Sequence, residues 1–142
     1  MDNLELLLSK YDFQKRQTPI TQAVVNSIEE FIGFKLPDDY LFFLKNYNGD
    51  EAFIENEFVI LWDADRLLQS NIGSEILEYL PSTLAIGGNG GGEFIGIKKT
   101  ELGKFNIVLS PLIGLDKAYH ILIGDSFTDF LIRLDKKREW FE

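Results

Sequence analysis

Apolar residues recur at helical spacing in four stretches of the chain. In residues 2–12, Leu4, Leu7, Leu8 and Tyr11 share one face, with Asp2 or Asn3 available as a cap. The polar run from Gln14 to Pro19 reads as a connector. A second helix is predicted over 21–32, with Val24 or Val25, Ile28, Phe31 and Ile32 as its stripe, Thr21 as N-cap and Gly33 as stop. A third opens at Leu36-Pro37-Asp38-Asp39-Tyr40. Proline costs nothing in a first helical turn, and two aspartates there suit the positive end of the dipole. Tyr40, Phe43, Leu44 and Tyr47 follow in register, and Asn48-Gly49 is expected to stop the helix in a left-handed turn. The last helix is predicted over 125–138 from Phe127, Phe130, Leu131 and Leu134. Asp125 or Ser126 caps it, Ser126 with Asp129 approximates a capping box, and Lys136, Lys137 and Arg138 are expected in its final turn.

Between these helices the period changes. Apolar, β-prone runs at 58–62, 83–86, 93–97, 106–109 and 118–123 predict strands. Asp63 is expected to cap a short helix through Leu67 and Leu68, and residues 74–80 to add a turn or two. Helices first, then strands joined by turns, then a closing helix predict an α+β fold with a central, mostly antiparallel sheet flanked by helices. A length of 142 residues fits a single domain, 1–142.

Composition narrows the chemistry. There is no cysteine, so a disulfide framework, a thiolate metal site and a cysteine nucleophile are excluded. The start, Met1-Asp2-Asn3-Leu4-Glu5, lacks the basic and apolar regions of a signal peptide, and no apolar run approaches the roughly 18 residues of a membrane span. A cytoplasmic protein without membrane contact is the expectation. The net charge of −9 disfavours direct nucleic-acid binding, which needs a positive footprint, and suits a cationic partner.

Each catalytic or cofactor motif fails on a specific residue. Gly87 and Gly92 have the spacing of a phosphate-binding loop, but Glu93 stands where lysine is required. The same Glu93 breaks a dinucleotide fingerprint begun by Gly88-Asn89-Gly90, and a strand follows instead of a helix. The run Gly87–Gly92 instead predicts a tight strand connection with positive φ at several positions. Asp63-Ala64-Asp65 opens like a calcium loop, but Leu68 occupies the glycine position. His120 is the only histidine, and Gly124-Asp125-Ser126-Phe127-Thr128 ends in threonine where a nucleophile elbow needs glycine. Neither a metal nor an organic cofactor is expected. Carboxylates are too numerous for any pair to be singled out as a glycosidase dyad.

Three stretches together resemble the SUKH superfamily, in particular the branch related to the yeast Knr-type cell-wall-assembly regulators. The first is Phe31-Ile32-Gly33-Phe34-Lys35-Leu36-Pro37-Asp38-Asp39-Tyr40 with Phe43-Leu44 and Tyr47-Asn48-Gly49. The second is Ile86-Gly87 followed by Gly90-Gly91-Gly92-Glu93, and the third runs from Ile123 to Leu131. Their order and spacing match over about residues 20–134, with 1–19 as an N-terminal helix and connector. Asn89 stands where an acid is common, and Glu93 where aspartate is often seen. The resemblance implies an α+β fold and no shared catalytic residues. It implies that bacterial members commonly act as immunity proteins that bind and neutralise a cognate toxin domain, many of those toxins being nucleases. The alternative it carries is a non-catalytic regulatory or scaffold module.

An immunity protein facing a basic nuclease groove would use its acids. The segment from Asn48 to Glu57 is read as an acidic loop, and loops carry binding residues. Asp50, Glu51, Glu55, Glu57, Asp63, Asp65 and Glu93 are the candidate partner contacts, with Phe53 or Trp62 as aromatic anchors. Trp140 and Phe141 fit either core or contact.

Overall fold

The computed structural model describes residues 2–141. Helices α1 (Asp2–Lys10), α2 (Gln22–Ile32) and α3 (Asp38–Asn46) come first. The hairpin β1 (Asp50–Ile54) and β2 (Glu57–Leu61) follows, then α4 (Ala64–Gly73) and α5 (Ile76–Tyr79). Strands β3 (Thr83–Gly88), β4 (Glu93–Lys99), β5 (Phe105–Pro111) and β6 (Ile121–Gly124) lead into α6 (Phe127–Asp135). The six strands form one antiparallel sheet in the order β1-β2-β3-β4-β5-β6, so the α+β expectation holds.

Alternation along the strands separates two cores. Val59, Leu61, Leu84, Ile86, Ile95, Ile97, Ile107 and Leu109 face one way, against Leu4 and Leu8 of α1, Ile28 and Ile32 of α2, Tyr40, Phe43 and Leu44 of α3 and the apolar stripe of α6. The opposite face is smaller. Ala85 and Phe94 pack there under Ile76 and Leu80, with Trp62 and Leu115 at the margin. Irregular register at Ala85/Gly87 and Ile107/Val108 adds local twist. The sheet curls far enough that the chain after α6 reaches both ends of it. Trp140 donates its backbone N–H to Glu57 at 2.6 Å, borders Ile121–Ile123 and stacks on Phe130, which places it in the core. Phe141 stays exposed.

Local signals set three helix ends as predicted. Thr21 accepts from the Val24 N–H, Gly33 takes φ 85° at the C-cap, and Ser126 accepts from the Asp129 N–H while Asp129 accepts from Asp125. Several expectations change. Phe31 is exposed, so the stripe of α2 is Val25, Ile28 and Ile32. The 118–123 strand begins only at Ile121, because 117–119 form a 3-10 turn capped by Asp116. Helix α6 ends at Asp135, and Lys136, Lys137 and Arg138 lie beyond it; Arg133 is the basic residue of its last turn. Asn48–Glu57 is no loop, since Asp50–Ile54 forms the edge strand β1.

The glycines act mainly by being small. Neither Gly49 nor Gly87 has positive φ. A Cβ on Gly49 would collide with the backbone of Leu61–Asp63, and one on Gly87 with the Ile60 carbonyl. Within the run 87–92 only Gly90 is left-handed, at φ 79°, so the expected series of positive φ values reduces to one.

Candidate functional site

The hairpin β1–β2 puts a mixed acidic and aromatic surface at the edge of the sheet. Ala52 and Ile54 point to the main core, so Glu51 and Phe53 point out on the other face. Phe53 is 68% exposed and meets Phe58, its cross-strand partner, at 5.1 Å between ring centroids. The glycine connection lies over Phe58, since a side chain on Gly90 would touch that ring. Trp62 is half-buried between the two cores.

The seven candidate acids divide by environment. Asp50, Glu51 and Asp65 are exposed and form no ion pair among the described residues. The other four are half-buried and hold the fold together. Asp63 accepts the Gly49 N–H at 2.6 Å and lies 3.7 Å from Arg16, although it caps no amide of α4. Glu57 accepts from Trp140, Glu93 accepts from the Asn89 side chain at 2.8 Å, and Glu55 lies 3.3 Å from the Tyr11 hydroxyl. The structure therefore sets Glu51 beside Phe53 on one face of β1, leaves Asp50 at the start of the same strand on the other face, and puts Asp65 on α4.

Around this edge a polar seam ties α1 to α6. The Tyr11 hydroxyl donates to Asp135 at 2.5 Å, and Lys10 pairs with the same carboxylate at 2.7 Å. Hydrogen bonds from Lys10 and then Tyr11 hold the Asp135 carboxyl below its ordinary range. Desolvation and Asp135 push the Tyr11 phenol up. Burial first, and Lys98 second, lower the His120 imidazole, while Asp116 partly offsets them.

Asp39 has a role that composition conceals. Its carboxylate accepts the backbone N–H and the hydroxyl of Thr128 at 2.8 and 2.9 Å, and also the Tyr40 N–H at 2.8 Å. An acid in the first turn of α3 thus satisfies an orphan amide at the start of α6. Asn71 does the same job on the other face. It is buried, gives its amide hydrogens to Leu67 and Ala85, and accepts from the Ala85 N–H, each at 2.8 Å. No periodicity marks either contact. The only cue was a polar residue at a position otherwise suited to an apolar one, as for Asn71 one turn beyond Leu67.

Among the described residues, no group of three or more His, Asp or Glu side chains is placed to hold a metal ion, and no helix is long and apolar enough to cross a membrane. No curated protein matches the sequence. The family model for SMI1/KNR4 (SUKH-1) matches residues 19–133, most of the chain and all three of the motifs that organise the fold. Those motifs place Asp39 under α6, close β2 onto β3 at Gly87 and start α6 at Ser126, and on that match the chain belongs to the SMI1/KNR4 family (SUKH-1).

Proposed function

We propose that this protein is a cytoplasmic, non-catalytic immunity protein that captures a cognate toxin domain and occludes its active site. Family membership supports a protein partner. The observation that carries the reading is the open edge strand β1. It presents an unpaired strand edge, with a largely exposed phenylalanine and Glu51 on one face and the exposed Asp50 at its start. An edge strand is a ready template for a partner strand. Phe53 supplies the aromatic anchor that hot spots require, and the acids steer a basic surface toward it. A nuclease with a phosphate-binding groove is the matching toxin, because Asp50 and Glu51 offer negative charge where its substrate would.

The test is binding to the toxin domain encoded beside this chain, with toxin activity followed in parallel. Nanomolar binding that abolishes activity, and that slows in onset as salt rises, supports immunity by steered capture. Binding that leaves activity intact supports the regulatory scaffold instead, and absence of binding removes the immunity reading for that pair.

A further inference from the structure

The face of the sheet away from the main core is only partly covered. Helices α4 and α5 lie over β3, and the loop from Leu112 to His120 crosses back over β5. Between them runs a cleft of about 770 Å³. Its floor is set by register. Thr83, Lys98 and Asn106 are direct neighbours on β3, β4 and β5, so their side chains stand in one row. Tyr79 and Leu80 form one wall, and Leu115 and Lys117 the other.

The polar groups in that row are short of partners. Thr83 is 2% exposed and lines the cleft, yet its hydroxyl makes no hydrogen bond among the described residues. The Asn106 side chain likewise makes none. Neither group is sealed off from the cleft, so both can donate to an external acceptor there. The Lys98 ammonium lies 3.4 Å from His120 Nδ1. A neutral imidazole accepting there holds the lysine in place without neutralising it. Lys98, Lys99 and Lys117 all line the cleft and form no salt bridge among the described residues. Against them the lining has only Glu101 and Asp116. In a chain of net charge −9 this is a locally cationic recess.

The cleft is also longer than one small ligand. It shares Tyr79, Leu115 and Asp116 with an adjoining recess of about 560 Å³ that ends at Leu112 and Tyr119. Tyr79 and Tyr119 are both well exposed on the rim.

We propose that this groove takes an extended segment of a partner protein in which a carboxylate sits beside a bulky apolar residue. The carboxylate accepts from Thr83, Lys98 and Asn106, and the apolar side chain lies between Tyr79 and Leu115. The site lies on the opposite side of β3 from the acidic hairpin and takes the opposite charge, so it is a second docking surface and does not depend on the immunity reading.

The experiment is an amide NMR titration of the full chain with a six-residue, end-blocked peptide of alternating Leu and Glu. The matching Leu–Lys peptide and inorganic phosphate are titrated beside it. Saturable shifts at the amides of Thr83, Lys98, Asn106 and Leu115 are expected from the Leu–Glu peptide alone. Lys98→Met should weaken that binding tenfold or more, and Lys117→Glu on the exposed rim should weaken it severalfold without touching the floor. No saturable shift at millimolar peptide, an equal response to the Leu–Lys peptide, or unchanged affinity in both variants would each overturn the proposal. Equal occupancy by phosphate would also overturn it, by reducing the groove to a site for small anions. No toxin enters the measurement, so its outcome and that of the toxin assay are read separately.

Discussion

Replacing Asp39 with alanine isolates the brace between α3 and α6. The substitution removes Oδ2, which accepts from both the Thr128 N–H and its hydroxyl, and Oδ1, which accepts from the Tyr40 N–H. The hydroxyl can turn to water, because Thr128 is only half-buried, but its amide is fixed by the helix and keeps no intrahelical partner. Hydrogen bonds to a charged group contribute about 1.5–3 kcal/mol each, and the adjacent Tyr40 contact adds less because it spans a single residue. The expected loss is about 2–4 kcal/mol, or roughly 6–12 °C in melting temperature for a chain of this size. Thr128→Val keeps the amide and loses only the hydroxyl, so about 1 kcal/mol is expected. Asp38→Ala is the control. That carboxylate is exposed in the same helical turn and contributes only its interaction with the dipole, about 0.5 kcal/mol. Urea unfolding of the four proteins, with a double-mutant cycle between Asp39 and Thr128, measures the coupling directly. Equal stability of the Asp39→Ala and Asp38→Ala proteins would refute the brace, leaving Asp39 as one more surface acid.

Three further outcomes are expected. Asn71→Leu leaves the Ala85 N–H and C=O buried without partners and should cost about 2–4 kcal/mol by urea unfolding, despite its added apolar surface. His120 is lowered in the fold, so the unfolded chain takes up its proton first as pH falls below about 6.5. Stability should therefore decline below that pH, and His120→Gln should flatten this part of the pH profile measured by thermal unfolding. Reversing Asp50, Glu51 and Asp65 to lysine should slow association with a basic toxin domain at least tenfold at low salt and leave the melting temperature within a few degrees. Stopped-flow rates that do not change would remove the acidic edge from the mechanism.

The sequence was most readable where a local rule decides the structure. Thr21, Gly33 and Ser126 set helix ends through contacts a few residues away, and Phe127, Phe130 and Leu131 reach the core because helical spacing puts them on one side. It was least readable where a residue works across the fold. Asp39 meets Thr128 at a separation of 89 residues, and Asp63 meets Gly49 at 14. Strand β1 was hidden because its acids look like a loop, yet an edge strand with one face in water can carry charge without losing its pairing. Gly49 and Gly87 were visible as glycines, but their cause was not. Loop chemistry suggested left-handed turns, whereas the constraint is another segment's backbone. Of the candidate site, Asp50, Glu51 and Phe53 converge on one edge, while Glu55, Glu57, Asp63 and Glu93 are engaged by the fold itself.

The meander order has a dynamic consequence. Most strand pairs close a short loop, so the sheet from β3 to β6 can zip up locally. The join between β2 and β3 differs. Two helices intervene in the chain, and only Ile60 with Gly88 and Leu61 with Gly87 are in register. The β1–β2 hairpin is expected to open as a unit of its own, since only a narrow hydrogen-bonded seam joins it to the remaining sheet, with Ile54, Val59 and Leu61 packed in the main core as its other hold. Such units open below the global unfolding energy. Hydrogen exchange should accordingly report two classes of strand amide, with β1–β2 the faster. A partner that adds a strand to β1 would draw its binding energy partly from closing this hinge, so protection would spread across the seam to Gly87 and Gly88, beyond any residue it touches.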